Sequence, residues 1–165
     1  MTIIIKNKGT LLFDNFIFKC SIGKKGFSKN KKEGDYTTPK GVFRLGNIYY
    51  RADRIQKPQS KLKIVKIKKE MGWCDDPKSK FYNKLIKIKK RSKFSYEKLY
   101  RKDYKYDLFI LIKYNYEKVN KYKGSAIFLH LTKNYSETRG CVALKKKDFL
   151  ILLKVINKKT KIKIK

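Results

Sequence analysis

Ser125-Ala126-Ile127-Phe128-Leu129-His130 is an apolar run that closes on the only histidine of the chain. Across a short polar loop it is followed by Thr138-Arg139-Gly140-Cys141-Val142-Ala143-Leu144. The continuous apolar character of residues 125–131 predicts a strand buried on both faces. A cysteine on a glycine-preceded turn, with one imidazole at the end of a nearby strand, is what thiol acyl transfer requires. The thiolate attacks a carbonyl, the imidazole takes and returns the proton, and backbone N–H groups beside the glycine receive the oxyanion. Cys141 is thus the candidate nucleophile and His130 the candidate proton donor and acceptor, with the Gly140 and Cys141 amides as the candidate oxyanion hole. The pair alone is weak evidence. A lone strand-end histidine is more often packed, and a buried cysteine more often acts as a small hydrophobe.

Working outward, the pattern is mainly β. Thr2–Lys6, Thr10–Phe13 and residues 16–20 predict short strands, the last two joined by a turn at Asp14-Asn15. Residues 23–40 are rich in Gly, Lys and Asn and read as a long loop, with Thr38-Pro39 favouring an extended entry. Residues 41–45, 47–51 and 107–112 read as strands. Phe149, Leu152, Leu153 and Ile156 recur at i, i+3, i+4 and i+7, which predicts a helix with Asp148 near its favourable N-terminal turn. Residues 160–164 predict a closing strand. With no repeat and no linker, residues 1–165 predict one domain of mixed sheets with one or two packing helices.

The charge is extreme: 45 Lys+Arg against 13 Asp+Glu, a formal net charge of +32. Such a balance suggests a polyanion partner. Yet all but six of the basic residues are lysine, and Ile, Asn, Tyr and Phe are also abundant, a set that shares AT-rich codons. The lysines alternate with aliphatics in residues 61–68, 85–89 and 161–165, as solvated strand faces do. The expectation is therefore no specific nucleic-acid partner, only weak, salt-sensitive attraction to polyanions. Cys20, Cys74 and Cys141 lack CxxC spacing, and one histidine does not complete a usual zinc set with them, so no metal is expected. A Cys20–Cys74 disulfide stays open. Residues 1–5 lack a signal-peptide core, and no stretch approaches the length of a membrane span.

The motifs together resemble the L,D-transpeptidase catalytic-domain (YkuD-like) family of peptidoglycan enzymes, in the version of its small stand-alone members. Thr138, Gly140, Cys141 and Val142 fit that family's Ser/Thr-x-Gly-Cys-aliphatic motif, and His130 fits its base. Lys32-Glu33-Gly34-Asp35-Tyr36-Thr37-Thr38-Pro39-Lys40-Gly41-Val42-Phe43-Arg44 resembles its Thr-Pro-x-Gly-x-Phe segment, in a version led by Glu-Gly-Asp. Gly72-Trp73-Cys74-Asp75-Asp76-Pro77, with Tyr82-Asn83, resembles a subfamily signature. Arg139 stands where many members have a second histidine, Ala143 stands where many have arginine, and the His-to-Cys loop is shorter.

The resemblance implies a β-sandwich-like fold, no cofactor, and peptidoglycan tetrapeptide stems as donor and acceptor. Transpeptidase and carboxypeptidase outcomes both stay open. It implies a cell-envelope or periplasmic location, although no signal peptide is read in this chain. A monomer is expected. Arg139 is a candidate for the stem carboxylate or a solvated side chain. Thr138 is a candidate substrate contact or a turn-fixing hydroxyl. Trp73 is a candidate cleft wall or a core residue.

Overall fold

The computed structural model describes residues 1–7 and 9–165. Its elements follow the alternation of the sequence. β1 (Thr2–Lys6) buries Ile3 and Ile5, and β14 (Lys161–Ile164) buries Ile162 and Ile164, while their lysines face water. The two pair in parallel, with Ile3 opposite Ile162. β2 (Thr10–Phe13) and β3 (Phe16–Lys19) form the hairpin expected at Asp14-Asn15, with Asp14 at φ 52°. One ten-residue strand, β6 (Gly41–Tyr50), replaces the two strands read from residues 41–51. Its first half pairs with β14 and its second half with β7 (Ile64–Lys66), so one strand serves two neighbours on the same edge.

β11 (Leu108–Ile112), β12 (Phe128–Leu131) and β13 (Val142–Leu144) complete the large sheet, in the order β13-β12-β11-β6-β14-β1-β2-β3. α1 (Lys146–Val155) follows at once and packs Phe149, Leu152 and Leu153 inward, with Ile156 at its C-terminal cap. Two short strands, β4 (Phe27–Ser28) and β5 (Thr38–Pro39), pair within the segment read as loop. A separate sheet is built from β8 (Met71–Cys74), β9 (Leu85–Lys87) and β10 (Tyr96–Lys98). The result is mainly β, sandwich-like, with one helix.

The period of two in β11 and β12 places the site. Leu108, Ile110, Ile112, Leu129 and Leu131 join the core under α1, whereas Phe109, Leu111 and Phe128 face a second core with Trp73, Tyr106 and Cys141. His130, two residues from Phe128, shares that second face. The strand expected over residues 125–131 begins only at Phe128, because Ala126 adopts φ 51°. All three cysteines are free and buried, so the Cys20–Cys74 option is closed in this structure. Among the described residues no helix is long and apolar enough to cross a membrane.

Candidate active site

β12 and β13 run in parallel, with Leu129 opposite Val142 and His130 opposite Ala143. Cys141 immediately precedes β13, so the register brings it beside Phe128. The Phe128 N–H donates to Cys141 Sγ at 3.4 Å, and the thiol donates to the Ala126 carbonyl at 3.2 Å. Cys141 and His130 line one cavity of about 580 Å³, together with Lys31, Glu33, Asp75, Glu97, Arg101, Tyr106, Thr138 and Arg139.

Gly140 has φ 136°, a conformation that side-chain-bearing residues rarely adopt, and a Cβ there would lie 2.7 Å from the Thr37 carbonyl oxygen. Glycine is thus the residue that lets the turn pack on the Thr37-Thr38-Pro39 segment. Thr138 clips the same turn. Its hydroxyl accepts from the Gly140 N–H at 3.0 Å and donates to the Cys141 carbonyl at 2.6 Å. Thr38 Oγ1 adds a longer contact to that carbonyl at 3.5 Å and accepts from the Gly23 N–H at 2.8 Å.

Burial dominates the electrostatics. It pushes the Cys141 thiol up to about 12, reinforced by the negative charge of Glu97 and opposed by the Phe128 N–H and by Lys31. It pushes His130 down to about 4, opposed by the hydrogen bond to the Leu131 carbonyl and reinforced by Lys105 and Arg101. The resting pair is therefore a neutral thiol and a neutral imidazole. The thiol's donation to Ala126 fits that state, since a thiolate has no proton to donate. His130 Nδ1 lies 2.9 Å from the Leu131 carbonyl oxygen. A carbonyl only accepts, so Nδ1 carries the proton and Nε2 is left as the ring's acceptor. Tyr106 packs edge-on to the imidazole, ring centroids 5.6 Å apart, and donates its hydroxyl to Glu97 at 2.6 Å.

The other expected site residues separate. Arg139 is exposed on the cavity rim and belongs to no ion pair among the described residues. Trp73 does not wall the cleft: it is fully buried, edge-on to Phe128, and donates its indole N–H to Asn83 Oδ1 at 2.9 Å. The Gly140 amide, expected in the oxyanion hole, is instead engaged by the Thr138 hydroxyl. This leaves the Cys141 amide as the candidate from that turn.

Several residues near the site take positions that the sequence did not assign to them. Asn83 holds Trp73 and the Ala126 N–H. Lys31, Glu97 and Tyr106 line the cavity. Glu33 accepts from Ser125 Oγ at 2.8 Å and from the Tyr82 hydroxyl. Glu33, Tyr82 and Asn83 lie in stretches quoted above for the family resemblance, whereas Lys31 and Glu97 carry no signal of their own in the sequence.

A sequence model of the L,D-transpeptidase catalytic domain, YkuD, matches residues 1–164. No curated protein matches the chain in sequence. Among solved structures, a single-residue mutant of the helical cell shape determining protein Pgp2 from Campylobacter jejuni shares the fold. It has a TM-score of 0.54 and 17% identity, covering 99% of this chain and 46% of that one. Pgp2 without that substitution gives a TM-score of 0.47 and 15% identity over the same shares. The chain thus spans less than half the length of these Pgp2 chains.

Proposed function

The chain belongs to the YkuD family of L,D-transpeptidase catalytic domains, and from that premise we propose that it is a cysteine acyl transferase acting on peptidoglycan stem peptides. The observation that carries this reading is the shared cavity: Cys141 and His130 line the same space, and the Leu131 carbonyl holds the Nδ1 proton of the ring. Cys141 attacks the amide between the diamino acid at position three of a donor tetrapeptide and its terminal D-alanine. The thiol proton passes to His130 Nε2 as the C–S bond forms, so the neutral resting pair needs no preformed ion pair. The Cys141 amide receives the developing oxyanion. Collapse breaks the C–N bond, His130 returns the proton to the departing amine, and a thioester remains. An acceptor amine from a neighbouring stem then displaces Cys141, giving its proton to His130 on the way to the regenerated thiol. Arg139, on the rim, suits the free carboxylate of a stem.

Purified disaccharide-tetrapeptide supplies the test, with products resolved by liquid chromatography and mass spectrometry. Cross-linked dimer and free D-alanine are expected from the wild type, and neither from Cys141→Ala or His130→Gln. Monomeric tripeptide with D-alanine would make the chain a carboxypeptidase that uses water as acceptor. Intact tetrapeptide after incubation with the folded wild type would refute the reading.

A further inference from the structure

Lys31 is the one buried lysine among the described residues, with 3% of its side chain exposed. An ammonium leaves water only where a partner and hydrogen bonds compensate it. Its partner is Asp35, whose Oδ1 lies 2.7 Å from Lys31 Nζ. The carboxylate is pinned on the loop side as well. It accepts from the Lys32 N–H at 2.7 Å, the Thr37 N–H at 2.9 Å and the Thr37 hydroxyl at 2.8 Å. Partial burial alone would raise this carboxyl, but the four donors together hold it at about 2.

The ammonium, which also reaches the Lys32 carbonyl at 3.5 Å, borders the site as well. The lysine stem runs under Gly124, where a Cβ would stand 2.8 Å from Lys31 Cε, and the ammonium ends at Gly140, where a Cβ would stand 3.2 Å from Nζ. Two close backbone approaches, both at glycine, seat this ammonium against the residue preceding the nucleophile, on the wall of the same cavity.

We propose that Lys31, held by Asp35, is a positioning residue that supplies the fixed positive charge stabilising negative charge as it develops at Cys141. The inference rests on the reading of Cys141 as the nucleophile. The ion pair is neutral as a whole, but its orientation is not: the carboxylate is tied to residues 32–37 while the ammonium meets the Cys141 turn. The other groups facing the thiol act differently. Glu97 on β10 opposes its ionisation, His130 is neutral, Tyr106 is an un-ionised phenol, and the Phe128 N–H assists. Lys31 is thus the cation that offsets burial and Glu97 when charge forms on sulfur.

The test reads the thiol directly and needs no peptidoglycan. Second-order rates of Cys141 alkylation by iodoacetamide are mapped by peptide mass spectrometry between about pH 7 and 9, with Cys20 and Cys74 as internal controls. Lys31→Met should slow Cys141 about tenfold at each pH, equivalent to about one pH unit along the profile. Lys31→Arg should stay within about twofold of wild type, because it keeps the charge. Should Lys31→Met fail to fold for want of a partner to Asp35, the Lys31→Met/Asp35→Asn double variant removes both charges and should show the same slowing. A folded charge-less variant that alkylates at the wild-type rate overturns the proposal. So does Lys31→Arg being as slow as Lys31→Met, since only shape would then matter. A Lys31-dependent alkylation rate in a chain without tetrapeptide turnover would sink the proposed function and leave this inference standing.

Discussion

Replacing Asn83 by alanine should unfasten the floor of the site. Asn83 is 1% exposed and uses every bond its amide offers. Oδ1 accepts from Trp73 Nε1 at 2.9 Å and from the Ala126 N–H at 3.0 Å, while Nδ2 donates to the Tyr114 and Asn115 carbonyls at 3.1 and 2.6 Å. Truncation strands two buried donors, each costing about 1–3 kcal/mol, while the two carbonyls lie nearer water and recover part of their loss. The backbone at Asn83 adds a penalty of about 1 kcal/mol, because its φ of 56° suits asparagine better than alanine. The expected loss is about 4 kcal/mol, a large share of the ~5–15 kcal/mol typical of a domain. In urea, with a slope of about 2 kcal/mol per molar, the midpoint should fall by about 2 M. The same variant frees the Ala126 segment, whose carbonyl holds the Cys141 thiol, so Cys141 alkylation should speed up in the still-folded fraction. A stability loss under about 1 kcal/mol would refute the reasoning, because it would mean that water replaces Asn83 at both donors.

Cys141→Ser should leave the fold intact, with stability within about 1 kcal/mol of wild type. The hydroxyl keeps both the Ala126 acceptor and the Phe128 donor, yet tetrapeptide turnover should vanish. Stability should also fall on acidification. The unfolded imidazole titrates near 6.5 whereas the folded one is held at about 4, so the unfolded chain binds the extra proton across that window. The contribution is complete above pH 6.5 and is lost progressively toward pH 4, by up to about 3 kcal/mol. Urea titrations of wild type and His130→Gln at several pH values check this; equal slopes in the two proteins would contradict it. Binding to unrelated DNA duplexes near physiological ionic strength should be no tighter than ~10⁻⁴–10⁻⁶ M, because the exposed lysines occupy many faces of the fold. Fluorescence anisotropy decides, and nanomolar affinity or sequence preference would make the basic surface functional.

Alternation and apolar runs made β1, β2, β11, α1 and β14 legible, because burial writes itself into period-two and period-3.6 patterns. Gly46 divides β6 in the sequence pattern, and in the fold the ladder to β11 shifts register at the same place, between the Leu45–Ile112 and Ile48–Ile110 pairs, while the strand runs on as one. β8 and β10 were not read, since each is a short strand of the small sheet and pairs with residues distant in sequence. At the site, Cys141 and His130 stood out through residue type and motif. What surrounds them did not. Lys31 is one lysine in a run of them, and only the folded chain distinguishes it by passing its stem under Gly124 and ending its ammonium at Gly140. The Thr138–Gly140 hydrogen bond, which removes one expected oxyanion donor, is likewise a matter of turn geometry. So is the neutral state of the Cys141 and His130 side chains, set by how deeply the second core covers them.

Intact-mass measurement after incubation with a carbapenem tests most directly whether Cys141 is the acylated nucleophile. Members of the family resembled here are acylated by these drugs at the catalytic cysteine. A single adduct that peptide mapping places on Cys141 is expected, and none on Cys141→Ala under the same conditions. An unmodified wild type, or an adduct on Cys20 or Cys74 that persists in Cys141→Ala, would contradict it.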